Sequence, residues 1–185
     1  SKDMTLNPRI YSENDNFILQ SEYRQAFENS NLIADFSFNY DENSSTHAII
    51  ELDGKIDEST SYNLEFQNVS GNDNYLKIHD FKGIQDTNEL MKKINSSSLT
   101  SLIKIDKDID EDTNLTSSVR MYEDLSVTQN SDKYQYIFPD FSFEKAIDLE
   151  ESHNGTFFFS SSGYQKLYST NIYEAQINND FNFMS

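Results

Sequence analysis

The chain has 185 residues, with 14 basic and 32 acidic side chains and a formal net charge of −18. It contains no Cys and no Trp, which excludes a disulfide scaffold, a zinc finger, an iron–sulfur centre and a cysteine nucleophile. Leu, Ile, Val and Phe make up about a quarter of the residues, above the roughly 20% below which a charged chain cannot bury enough surface to fold.

A single β-rich domain over 1–185 is expected at this length, since charge is spread evenly and no tail or linker stands out. Nucleic acid is not an expected partner, because phosphate binding needs clustered Lys and Arg and Lys92-Lys93 is the only adjacent basic pair. An anionic membrane surface is disfavoured on the same ground. No apolar run approaches the roughly 18 residues of a membrane helix, so membrane insertion is not expected either. Ser1 to Pro8 lacks the basic and apolar regions of a signal peptide. Removal of an initiator Met and cleavage of a leader both fit a start at Ser1.

In chain order, the first expected element is a helix over Asp15–Asn29, with Leu19, Tyr23, Ala26 and Phe27 forming one stripe and Ser12 or Asn14 as its cap. Period-two alternation then begins. Leu32, Ala34, Phe36, Phe38 and Tyr40 share one face, while Asp35, Ser37 and Asn39 take the wet one. Asp41 to Thr46 reads as a hairpin loop before a strand with Ala48, Ile50, Leu52 and Ile56 on its apolar face. Tyr62, Leu64 and Phe66 continue the pattern. Ser70-Gly71-Asn72-Asp73-Asn74 is a turn, followed by strand residues Leu76 and Ile78. A short helix is expected over Asp86–Asn95, where Asp86 and Glu89 resemble a capping box. Further strands are expected at Leu99–Ile105, Val119–Val127, Tyr134–Phe138, Thr156–Ser160 and Gln165–Tyr173, with one or two helical turns in Phe143–Glu151. The sum is a mainly β antiparallel sandwich or barrel of about nine strands, with an N-terminal helix and one or two short ones.

The sharpest local motif is Asp106-Lys107-Asp108-Ile109-Asp110-Glu111-Asp112. Asp106, Asp108, Asp110 and Asp112 alternate as hard-cation ligands can, making them the candidate calcium site. The EF-hand pattern fails, because Glu111 stands where Gly is needed and Ser117 where a bidentate Glu is needed. A solvated acidic loop is the better reading. His47, His79 and His153 lack zinc-pair spacing and read as isolated histidines on a sheet surface. Asn-x-Ser/Thr triplets at Asn43, Asn68, Asn95, Asn114 and Asn154 are no more numerous than composition gives by chance. Tyr164, Tyr168 and Tyr173 read as cross-strand packing residues.

No phosphate loop, nucleophile elbow or dinucleotide fingerprint occurs, so no catalytic residues, cofactor or enzymatic activity are expected. The leading functional expectation is a structural or interaction protein of a virion, filament or cell surface. It would assemble with other subunits, or with copies of itself, through sheet edges and loops. The alternative is an acidic inhibitor of a basic toxin or nuclease. A barrel carrying a small apolar ligand is the third reading.

Charge alone generates one prediction. The folded chain is expected to melt at higher temperature in 0.1 M salt than in 0.01 M salt at neutral pH. The screening length falls from roughly 30 Å to about 10 Å between those concentrations and damps the repulsion among the carboxylates. Paired thermal melts check this, and a melting temperature indifferent to salt would contradict it.

Overall fold

The computed structural model describes residues 1–11, 16–40, 44–71, 75–79, 98–126, 133–149, 155–168 and 173–184. Nearly all of them lie in strands: β1 (Lys2–Tyr11), β2 (Asn16–Ala26), β3 (Ser30–Tyr40), β4 (Ser45–Asp57), β5 (Thr60–Ser70), β6 (Ser98–Asp110), β7 (Thr113–Asp124), β8 (Tyr134–Leu149), β9 (Gly155–Tyr168) and β10 (Tyr173–Met184). One short helix, α1 (Tyr75–His79), lies between β5 and β6. Each strand pairs antiparallel with the next in sequence, giving one open ten-stranded sheet ordered β1 to β10.

The mainly β expectation holds, and the N-terminal helix does not. Residues expected to be helical form β2, which pairs with β1 and β3 along its length. The i, i+4 spacing of Leu19 and Tyr23 serves a helical stripe and a strand face equally well, because four is also a multiple of two. Flanking strands on both sides decide between them. Phe143 to Leu149 likewise lies in β8, paired to β9, while Tyr75–His79 is helical where a strand was expected. The Asp86–Asn95 helix lies outside the described residues. The Gly71 turn is present, with Gly71 at φ 90. An added Cβ there would meet Ser44 O at 2.5 Å.

Register carries side-chain direction across the sheet, since paired residues share a face. The row Leu6–Ser21–Phe36–Ala48 and the row Met4–Tyr23–Ala34–Ile50–Phe66 lie on one face. Leu64 and Tyr62 continue it through Ile103 and Ile105 of β6. Asn7, Gln20, Ser37, His47 and Val69 form a row on the other face.

Alternation is therefore as expected, but exposure is inverted. Phe36, Phe38 and Tyr40 are exposed, whereas Asp35 is 0%, Ser37 4% and Asn39 5% exposed. Much of the apolar face is uncovered: Met4, Leu6, Ile10, Phe66, Ile103, Ile105, Val119, Ile177, Phe181 and Phe183 are exposed, whereas Ala34 is buried. The buried apolar cluster is small. Ile18, Ile49, Val69, Leu99 and Leu125 surround Tyr75 and Leu76 of α1. Ile18, Ile49 and Val69 stand among the polar residues of the opposite face.

Both sheet edges are open. Ser1 O accepts a bond from Ala26 N at 2.8 Å, so by antiparallel alternation Asp3, Thr5, Asn7 and Arg9 bond inward to β2. Pro8 consequently turns its nitrogen to the free edge, where a missing N–H leaves the β1–β2 ladder intact. The second proline, Pro139, sits in the irregularity of register between Ile137 and Asp140.

The burial pattern predicts unequal substitutions. Ile49→Ala, at 0% exposure, is expected to cost about 2–4 kcal/mol. Ile10→Ala, at 80% exposure, is expected to change aqueous stability by less than about 0.5 kcal/mol. Urea unfolding of both variants checks the contrast.

Candidate functional site

The buried polar residues lie side by side because of register. Glu22 pairs with Asp35 and Gln20 with Ser37 across β2 and β3. Ser37 pairs with His47, and Asn39 with Ser45, across β3 and β4. The short connection at 41–44 fixes this register. The alternating polar positions of both strands thus fall on one face, where α1 covers them.

A hydrogen-bonded chain runs through the cluster. Arg9 Nη2 donates to Gln20 Oε1 at 3.2 Å, and Gln20 Nε2 donates to Asp35 Oδ1 at 3.2 Å. His47 Nε2 stands 3.0 Å from Asp35 Oδ1, with both side chains fully buried. Its Nδ1 is 2.6 Å from Ser37 Oγ, which is 2.8 Å from the Tyr75 hydroxyl. A carboxylate only accepts, so the proton belongs on Nε2. With a neutral imidazole Ser37 donates to Nδ1, and the Tyr75 hydroxyl donates to Ser37. Every link in this arrangement has one donor and one acceptor.

Burial pushes the Tyr75 phenol up from its ordinary range, partly offset by Ser37 and the Arg9 charge. Burial, and then Arg9, hold His79 below the ordinary imidazole range. Arg9 Nη1 also donates to His79 O at 3.2 Å, and the His79 ring packs edge-on against Tyr75 at 5.1 Å. The Tyr75 hydroxyl therefore stays protonated, as its donation to Ser37 requires.

Serine, imidazole and carboxylate in series have the connectivity of an acyl-transfer triad. Here Ser37 is 4% exposed and its hydroxyl is capped by the Tyr75 phenol. In this conformation the series works as a strut that satisfies buried polar groups. Glu22, 1% exposed, is bonded through one oxygen to Arg24, 2.7 Å from Arg24 Nε, while its Oε2 has no partner among the described residues.

His47 corrects the expectation of an isolated surface histidine: it is 2% exposed and bonded on both ring nitrogens. His79 is also engaged, through Arg9 and Tyr75, and His153 lies outside the described residues. No signal for this pair stood in the sequence, because counting back from the expected loop, Asp41 to Thr46, sets Ser37 opposite Ile50, whereas the observed register pairs it with His47.

The candidate calcium residues lie along the β6–β7 hairpin. Asp106 accepts from Thr116 Oγ1 at 2.7 Å and pairs with Lys104 Nζ at 2.9 Å. Burial raises Asp106, but these contacts outweigh it and leave the carboxyl below its ordinary range. Asp108 is exposed in β6. Asp110 Oδ1 accepts from Asp112 N at 3.0 Å in the two-residue turn. Among the described residues no group of three or more His, Cys, Asp or Glu side chains converges to hold an ion. Asn68 and Asn114 are exposed strand residues; Asn43, Asn95 and Asn154 lie outside the described residues. The Tyr164 hydroxyl donates to Glu174 Oε1 at 2.9 Å. The Tyr168 ring lies 5.7 Å from Lys166 Nζ.

No protein-family model matches the chain, and no curated protein matches it significantly.

The chain of bonds predicts graded losses. Asp35→Ala leaves Gln20 and His47 without their buried acceptor and is expected to cost about 3 kcal/mol or more. Tyr75→Phe removes one terminal donor and should cost about 1 kcal/mol. Equal losses in urea unfolding would contradict the ordering.

Proposed function

We propose that the chain is a non-catalytic structural element, the wall of a membrane-embedded antiparallel β-barrel. Its apolar face meets lipid acyl chains and its polar face lines the lumen. The exposure inversion carries this reading. A water-soluble sheet hides Phe and Ile and wets Asp and Ser; here Phe36, Phe38 and Phe66 are exposed while Asp35, Ser37, Asn39 and Gln67 are buried, a reversal centred on β2–β5.

Three further observations support it. Strands of 10 to 16 residues are long enough to supply the roughly 9–11 residues of a tilted membrane-crossing strand. On the apolar face of β1–β5, Lys2 and, past the bulge beside the β4–β5 turn, Asp57 are the charged residues in the registered pairs among the described residues. The three tightest connections, 27–29, 58–59 and 111–112, lie at one end together with the five residues of 150–154, and the two longest, 71–97 and 125–133, lie at the other together with the four-residue connections 12–15, 41–44 and 169–172. Transmembrane barrels show the same asymmetry of turns and loops.

Much of the acidic charge lies off that face, with Asp57 and Asp110 in its rows only beside the tight turns. Asp106, Asp140, Glu144 and Asp180 belong to polar-face rows of β6–β10. Among the described residues no helix is long and apolar enough to cross a membrane. The expectation against membrane insertion rested on that helical criterion, which does not reach strands that cross by alternation. Assembly through sheet edges becomes a requirement in this reading. Unpaired backbone groups of β1 and β10 are costly in lipid, so each edge takes a further antiparallel strand.

Dilution from urea into zwitterionic phosphatidylcholine vesicles tests the proposal. The chain should gain strand signal in circular dichroism and float with the vesicles. Phe36→Arg, on the lipid face, should weaken insertion by about 2–4 kcal/mol, while Asn178→Arg on the polar face should not. A monodisperse monomer or dimer in buffer that ignores vesicles would overturn the reading.

A further inference from the structure

A five-residue helix has no stability of its own, since helix nucleation is costly and short helices are marginal in water. α1 therefore exists only while docked. Among the described residues its hold on the sheet includes two side chains in the small apolar cluster, Tyr75 and Leu76, ring contacts of Tyr75 with His47 and of His79 with Tyr11, and two polar links. The links are the 2.8 Å contact of the Tyr75 hydroxyl with Ser37 and the 3.2 Å bond from Arg9 to His79 O. Tyr75 is 1% and Leu76 4% exposed, although α1 sits in the long connection between β5 and β6. The segment thus turns inward over the polar face.

We infer that α1 is a displaceable clasp, and that its release uncovers the Ser37–His47–Asp35 series and widens the polar face at the loop end. Docked, it seals that series at 4%, 2% and 0% exposure. Released, it unfolds, and the serine hydroxyl and imidazole become open to solutes on that face. The two states differ by a few local contacts while the strand ladder is unchanged, as a local opening requires. Any solute that hydrogen-bonds to the uncovered series competes with Tyr75 for Ser37 and favours the released state. This inference rests on the polar face alone and does not depend on what covers the apolar one.

The test compares the chain with its Tyr75→Phe and Arg9→Gln variants, using modification of His47 by diethyl pyrocarbonate, read by peptide mass mapping. In the parent chain His47 should react slowly. Each variant should speed its modification by roughly five- to tenfold, the net effect of one hydrogen bond, with circular dichroism of the strands unchanged. A second readout places a cysteine at Leu76→Cys, the only thiol in the chain, and follows maleimide labelling. Labelling should accelerate in step with His47 modification in the double variants. His47 modification that is fast in the parent, or unchanged in both variants while Leu76→Cys labels no faster, would overturn the clasp. So would acceleration accompanied by loss of strand signal, because it would report global unfolding. Vesicle binding is not part of either readout, so failure here leaves the lipid-facing reading standing, and the reverse also holds.

Discussion

Successive side chains of a β-strand point to opposite faces, and an unbroken antiparallel order turns that local fact into two continuous surfaces. Among the described residues ten strands are paired in sequence order, with no second sheet on which either surface packs. One surface is built from Leu, Ile and Phe, the other from Asp, Ser, Gln and Asn. Everything else in the molecule follows from how those two surfaces are satisfied. A sandwich would fold the apolar surface against itself. Here it stays open, and the small buried core forms on the polar side under α1.

Burying polar groups is costly unless each finds a partner. The chain from Arg9 through Gln20, Asp35, His47 and Ser37 to Tyr75 meets that demand with one donor and one acceptor per link. Cross-strand geometry makes it possible, because paired residues stand close enough for short side chains to touch. Arg24 against Glu22 and Arg120 against Asp140 serve the same purpose elsewhere on the sheet. With 14 basic groups against 32 acidic ones, most of these interactions use hydroxyls, amides and imidazole. The abundance of Ser, Asn and Gln has that physical role.

Much of the strand pattern was legible in the residues. Leu32 to Tyr40, Ala48 to Ile56 and Leu99 to Ile105 alternate plainly, and Gly71 marked its turn. β1 was missed because Pro8 and mixed polarity hide a strand whose outer edge needs no N–H at that position. β2 was missed because Leu19 and Tyr23 satisfy both periods. Which face would be buried was not legible at all. Alternation gives two faces but does not name the medium each one meets, and the ordinary rule for water assigned them the wrong way round. His47 was not legible either, since its partners Ser37 and Asp35 come from the neighbouring strand, in a register that the expected loop does not produce.

Site-directed spin labelling along β10 tests the central claim most directly, because the chain has no native cysteine. Single cysteines from Gln176 to Phe183, in protein reconstituted into phosphatidylcholine vesicles, would report collision with oxygen, which concentrates in lipid, and with a water-soluble nickel chelate. The account predicts a two-residue period, with oxygen favoured at Ile177, Asn179, Phe181 and Phe183 and nickel at Gln176, Asn178, Asp180 and Asn182. Nickel access at every position, with no alternation, would contradict a lipid-facing apolar surface.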